Sequence, residues 1–387
     1  MKLRAGTGAS RAEKASDAGR EATTLALAAL GSATPELLVV FTTPRYKLTE
    51  LLAAIRDVAG DARLIGATAS GEIVQGEYMG FGAGVAVLAL AGGRYRFGIA
   101  SASHIEGALD QAGQEIARAS RAEAGPSPHA AVLLLADALL GDLQELFRGV
   151  YRVTGPKVSI VGGAAGDEQK FIATFVFHDG QVIEKGAVAL WIASEHPLAV
   201  VTRHGWRPIG LPQWVTRVEG ATLVELGGRP AATVYEELLG FAPGELSADA
   251  FWGTSILHPF GLPQPDGSTI IRVARSKTAE GALCIQGCVP PDGSAVHVMS
   301  GTADTLLGVV EDVATNALAA VADPGVLLAF SCAARATIFQ SRAAEEPRRL
   351  QGAAGEIPAF GLYCCGEFAR TSGVLGTHNA TLTAIAL

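Results

Sequence analysis

The chain's 387 residues exceed a single small module, and 49% hydrophobic against 18% charged residues, with 47 glycines, describe a globular protein and exclude a disordered or fibrous one. A net charge of −8 with 30 dispersed basic residues removes the electrostatic footprint of a nucleic-acid groove or an anionic membrane surface, leaving small molecules and other proteins as expected partners. The cysteines, Cys284, Cys288, Cys332, Cys364 and Cys365, are odd in number and confined to the second half, which fits a reducing compartment better than a disulfide framework.

The first thirty residues scatter Arg11, Glu13, Lys14, Asp17, Arg20 and Glu21 through an alanine-rich stretch. They carry no secretory signature, and Arg11 to Leu30 reads as a helix. Apolar runs such as Leu37–Phe41 and Ala131–Ala136 are far shorter than the roughly 18 residues of a spanning helix. A cytoplasmic protein without membrane insertion is therefore expected.

From Leu37 onward one pattern recurs. Strand-like runs at Leu37–Phe41, Ala131–Leu135 and Val326–Phe330 each lead into a short turn and a helical stretch, Leu48–Ala59 and Leu139–Val150 being the clear copies. A glycine turn ending in an acid follows: G-A-T-A-S-G-E at Gly66–Glu72, G-A-A-G-D at Gly163–Asp167, and G-L-Y-C-C-G-E at Gly361–Glu367. Each then closes on a β-rich run, Gly82–Leu90, Gly186–Ile192 and Asn379–Leu387. Helices are also expected ahead of the second and third copies, at Ile105–Ala119 and Thr302–Ala322. The middle differs: Ala199–Val218 and Ser268–Val298 read as strands and hairpins with turns at Pro265–Gly267 and Pro290–Gly293, around a helix at Ala231–Leu239.

The expected fold class is α/β, with mixed α+β sheets, built from repeated strand–helix–strand–strand units in two associated domains. The boundary between them falls within 195–245, giving an N-terminal helix over 1–36, a first domain over 37–220 and a second over 221–387.

Several segments carry a family resemblance. G-A-T-A-S-G-E followed by a glycine-rich strand resembles the FIST N-terminal domain, and R-H-G-W-R-P-I-G at Arg203–Gly210, W-V-T-R-V-E-G at Trp214–Gly220 and L-G-G-R-P-A at Leu226–Ala231 resemble the middle of that family. F-S-C-A-A-R, G-L-Y-C-C-G-E-F and H-N-A-T-L-T, within Phe330–Thr383, are similar to its C-terminal domain. The resemblance implies a sensory module binding a small ligand, with amino acids often proposed, and for some bacterial members a haem-based nitric-oxide sensor. The length leaves no room for a kinase, cyclase or F-box, so the resemblance implies a signal passed to a separate protein. Ala67 stands where the family often has cysteine, which removes a cysteine-dependent role from that turn.

Candidate site residues follow from charge and turn chemistry. Glycine turns let backbone N–H groups approach a carboxylate or phosphate, and Glu72, Asp167 or Glu367 can hold an ammonium group. Arg45 and Arg335 sit after equivalent strands, where a guanidinium can take a carboxylate through two parallel hydrogen bonds. With Arg207, His378 and Asn379 these complete an expected zwitterion pocket: Arg45, Glu72, Arg207, Arg335, Glu367, His378 and Asn379. The alternatives are structural ion pairs and turn-fixing side chains. No metal and no cofactor are expected; the haem alternative uses His204 or His378 as axial ligand, and an enzyme alternative pairs Cys364 or Cys365 with His378 on a small acyl or amide substrate.

Overall fold

The computed structural model describes residues 2–82, 84–265, 267–370 and 376–387. Ala83, at the start of the expected strand Gly82–Leu90, and Asp266, inside the expected turn Pro265–Gly267, lie outside them.

The first repeat runs β1 (Leu3–Ser10), α1 (Ala15–Leu30), β2 (Leu37–Thr42), α2 (Leu48–Ala59), β3 (Arg63–Thr68), a hairpin β4 (Glu72–Val74) and β5 (Glu77–Tyr78), and β6 (Val85–Gly92). The second repeats that order as β7 (Tyr95–Ala102), α3 (Leu109–Ala124), β8 (His129–Ala136), α4 (Leu143–Thr154), β9 (Ser159–Ala164), hairpin β10 (Val176–His178) and β11 (Gln181–Ile183), and β12 (Ala187–Ser194).

The third opens with β13 (Val200–Arg203) and is then interrupted by β14 (Arg207–Glu219), β15 (Thr222–Leu226), β16 (Arg229–Pro230), α5 (Ala231–Leu238), α6 (Ala248–Ser255), β17 (Phe260–Pro263), β18 (Thr269–Arg272), β19 (Ala274–Lys277), β20 (Leu283–Ile285) and β21 (Ala295–Ser300). It resumes with α7 (Ala303–Leu307), α8 (Val310–Ala319), β22 (Leu327–Cys332), α9 (Ala333–Phe339), α10 (Glu345–Ala354), β23 (Ala359–Cys364), hairpin β24 (Glu367–Ala369) and β25 (Thr377–His378), and β26 (Leu382–Ala386).

Each repeat builds four strands of a six-stranded sheet and gives its hairpin to another repeat. β1-β6-β2-β3 is completed by β10-β11, β7-β12-β8-β9 by β24-β25, and β13-β26-β22-β23 by β4-β5. The exchange is cyclic, so the three repeats surround one axis with approximate threefold symmetry. Central strands such as β2, β6, β8, β12 and β22 are covered on both faces and therefore read as continuous apolar runs rather than alternations.

Inner faces of all three sheets share one core, where Phe41 of the first repeat stacks on Phe360 of the third with ring centroids 5.4 Å apart. The outer faces carry the helices, α1 and α2 on the first sheet, α3 and α4 on the second, and α8 to α10 on the third. The interruption in the third repeat forms an eight-stranded sheet with its own core around Tyr235, Phe251 and Phe260.

The mixed α/β class and the repeat are as the sequence indicates. Differences lie in what a repeat contains and where its hairpin goes. Within the span 1–36 expected as helix, Leu3–Ser10 form β1 and the helix begins only at Ala15, because the glycine and serine content of L-R-A-G-T-G-A-S serves close packing: a Cβ on Gly6 or Gly8 would lie 2.2 Å from a carbonyl oxygen of α1. The 220/221 position falls between β14 and β15, inside the inserted domain. No helix among the described residues is long and apolar enough to cross a membrane.

Candidate ligand site at the repeat junction

The three glycine turns meet on the axis. Ser70 N–H donates to the Tyr363 carbonyl (2.8 Å), Cys365 N–H to that of Ala164 (2.9 Å) and Gly166 N–H to that of Thr68 (2.8 Å), a closed ring of repeat-to-repeat bonds. Tyr363 N–H and Ala164 N–H answer to the carbonyls of Gly71 and Gly366, both at 2.8 Å. Glycine is required at Gly166, where a Cβ would lie 2.6 Å from the Ser70 nitrogen and hydroxyl, and at Gly71 and Gly366, whose φ values are 115° and 144°. The amides that the sequence offered as an anion cradle thus serve one another, and the hub is filled.

The acids after these turns have three different environments. Asp167 is saturated by the N–H groups of Phe171, Ile172 and Ala173. Glu367, fully buried, accepts from Thr381 N–H (3.1 Å), the Thr381 hydroxyl (2.7 Å) and the Cys364 thiol (3.4 Å). Burial pushes its carboxyl up to about 7 against the opposing pull of those donors and of the Cys332 thiol. Glu72 is also fully buried, but neither carboxylate oxygen has a partner, and burial raises it well above the ordinary range.

The arginines offered as anchors lie elsewhere. Arg335 is buried in an ion pair with Glu346, its Nε 2.9 Å from the carboxylate, and also donates to the carbonyls of Leu306 and His204. Arg45 is exposed, bonds to the Gly82 carbonyl and lies over the Tyr46 ring. Arg207 is exposed at the start of β14. His204 Nδ1 accepts from Trp206 N–H at 2.9 Å, and burial depresses the imidazole to about 4.

Glu367, His378 and Asn379 do come together. They line a cavity of about 40 Å3, closed on one side by Ala138, Gly141 and Leu143 after β8 and on another by Gln286, Gly287 and Cys288 of the inserted domain. That volume holds a few waters or one small polar group. It lies beyond the C-terminal ends of parallel strands β8 and β23, where α/β sheets place ligands. His378 is buried, its Nε2 3.3 Å from the Ala369 carbonyl and its Nδ1 without a partner. Burial, then the nearby Arg272 charge, depress it to about 3, so it is neutral.

Arg272 is the residue that sequence reasoning missed. It is 1% exposed on β18, and its Nε and Nη1 donate to the carbonyls of Cys288 (2.7 Å) and Thr377 (2.9 Å), two cavity-lining residues. The available signal was an arginine inside the apolar run T-I-I-R-V-A. A second tie, Gln286 Nε2 to the Cys365 carbonyl at 3.0 Å, also joins the inserted domain to the third repeat here.

Chemistry at the thiols is limited by burial. Cys364 donates to Glu367 and the Ser331 carbonyl, and burial pushes Cys365 up to about 12 and Cys364 and Cys332 well above the usual thiol range. A raised thiol beside a depressed imidazole is the reverse of an activated cysteine–histidine pair. No cluster of three or more His, Cys, Asp or Glu is placed to hold a metal ion among the described residues. The space beside His378 has a volume of about 40 Å3, and His204 has one ring nitrogen engaged by Trp206.

The FIST N domain description matches residues 36–229 and that of the FIST C domain matches 231–370. The protein Rv0628c of Mycobacterium tuberculosis (strain ATCC 25618 / H37Rv) is 27% identical over 390 residues, covering 98% of each chain. Mb0898c of Mycobacterium bovis is 26% identical over 233 residues, covering 58% of this chain and 59% of the relative. Among solved structures, cyanuric acid hydrolase from A. caulinodans aligns over 99% of both chains with a TM-score of 0.38 and 10% identity, too distant to bear on chemistry. With both domain descriptions matched in order across nearly its whole length, the chain belongs to the FIST family, whose domains are in general sensory domains that bind small ligands.

Proposed function

We propose that this protein is a sensor for an amino acid or related carboxylate metabolite, bound in the cavity where the second repeat, the third repeat and the inserted domain meet. The observation that carries this reading is the convergence of Glu367, His378 and Asn379 on that cavity, with an imidazole nitrogen left without a partner. Buried polar groups ordinarily find partners, so an orphan beside a cavity fits a position for a ligand atom.

The mechanism follows from size. The cavity is partly open, and its inner volume of about 40 Å3 takes one small polar group, so a whole amino acid favours an arrangement with the inserted domain withdrawn. That movement lengthens the Gln286–Cys365 and Arg272–Thr377 bonds and loosens the apolar packing of Ile256, Ile271, Val273 and Met299 against the third repeat. The ligand shifts a pre-existing equilibrium by its difference in affinity for the two arrangements. A separate signalling protein reads the position of the inserted domain, on which Leu211 (78% exposed) and Trp214 (62% exposed) offer apolar surface to cover.

A thermal-shift panel of the amino acids and small carboxylic acids tests the reading. A binder raises the unfolding midpoint with concentration, and a flat panel contradicts it.

A further inference from the structure

We infer that Arg272, contributed by the inserted domain, is the anion anchor of the junction cavity, and that the ligand presents a carboxylate to it. This rests on the ligand-binding reading above and names the chemistry the site selects.

Among the described residues two arginines are almost fully buried, and they differ in one respect. Arg335 has Glu346 against it, whereas Arg272 forms no ion pair among the described residues. Its Nε and Nη1 are used by the carbonyls of Cys288, Ile271 and Thr377, and Nη2 has no partner. A buried cation is normally paired with an anion, because carbonyl dipoles alone do not replace its hydration. Asp142 is the nearby acid whose charge it feels, but that carboxylate caps α4 by accepting from Gln144 N–H at 2.9 Å. The guanidinium therefore sits behind the cavity wall made by Cys288 and Thr377 with one N–H edge unspent.

Asn379 brings an amide that can donate to an anion at the same wall, while neutral His378, with Nε2 toward the Ala369 carbonyl, leaves Nδ1 as an acceptor for a donor on the ligand. Glu367 already accepts from Thr381 and the Cys364 thiol, so its oxygens are engaged within the fold. Because Arg272 belongs to the inserted domain while Glu367 and His378 belong to the third repeat, a bound carboxylate replaces the direct Arg272–Thr377 contact with one through the ligand.

The test uses acetate, its uncharged isostere acetamide, and methylammonium, titrated at fixed ionic strength into the wild-type protein and Arg272→Gln while the unfolding midpoint is followed. Acetate is expected to raise the wild-type midpoint, acetamide and methylammonium to leave it unchanged, and Arg272→Gln to weaken the acetate response by at least about tenfold. Should the variant not fold, wild-type protein labelled with 15N-arginine decides: the Arg272 Nε signal moves with acetate and not with acetamide. An equal acetate response in both proteins, or an unmoved Arg272 signal while acetate raises the midpoint, overturns the anchor and leaves ligand binding intact. A response confined to acetamide, methylammonium or other uncharged or cationic ligands overturns the carboxylate class alone. No response to these or to any amino acid overturns the binding reading with it.

Discussion

Arg335 and Glu346 pair with no solvent exposure at either side chain, the guanidinium reaching one carboxylate oxygen through Nε and Nη2 while the Ser331 hydroxyl donates to the other. Removing one member of such a pair leaves an uncompensated buried charge, at a cost of about 3–5 kcal/mol. Arg335→Met and Glu346→Leu are each expected to lower unfolding free energy by about that much, and the two together by clearly less than the sum. Urea denaturation of the four proteins checks this.

Stability responds to pH in two opposite ways. The Glu367 carboxyl, held up at about 7 in the fold, ionises near 4.3 in the unfolded chain, so the folded state holds its proton longer. Its contribution is complete below about pH 4.3 and lost as pH rises through about 7, a change on the order of 3 kcal/mol. His378, depressed to about 3 from its ordinary 6.5, acts the other way and removes stability as pH falls between those values. Melting curves from pH 4 to 8 are expected to show Glu367→Gln flattening the alkaline side and His378→Gln the acid side. An unchanged slope in both variants contradicts these environments.

The axial ring depends on Gly166. A methyl group there meets the Ser70 backbone nitrogen and hydroxyl at 2.6 Å, so Gly166→Ala is expected to destabilise by roughly 1–3 kcal/mol. Gly253→Ala, with open space around it, is expected to change stability far less. Parallel thermal melts compare them.

Thiol reactivity separates the binding reading from a nucleophilic enzyme. Cys332, Cys364 and Cys365 are buried, while Cys284 and Cys288 are partly accessible. Titration of the native protein with an aromatic disulfide reagent is expected to modify Cys284 and Cys288 first and the other three only on unfolding. A bound ligand is expected to slow Cys288, which lines the cavity. Rapid native labelling at Cys364 or Cys365 would favour the enzyme alternative.

The repeat was legible because each copy keeps an apolar strand, a following helix and a glycine turn, features set by local chemistry. The exchange of hairpins was not, since nothing in Glu72–Val74 states that its strand partner is Phe360–Leu362 rather than its own repeat's β3. Glu367, His378 and Asn379 were readable as polar residues at strand ends. Arg335 was misleading for a simple reason: Glu346, eleven positions later, gives no local sign that it folds back to neutralise it. Arg272 was hidden by its apolar neighbours, because its lack of an ion-pair partner and its unpartnered Nη2 exist only in three dimensions.

The most direct measurement of where the ligand sits is hydrogen–deuterium exchange, with and without saturating amounts of whichever amino acid or carboxylic acid raises the unfolding midpoint most. The account predicts changed exchange concentrated in three segments distant in sequence, Ala138–Leu143, Gln286–Cys288 and Cys365–Phe368, which together wall the junction cavity. Changes confined to another surface, with these three segments unaltered, would contradict it.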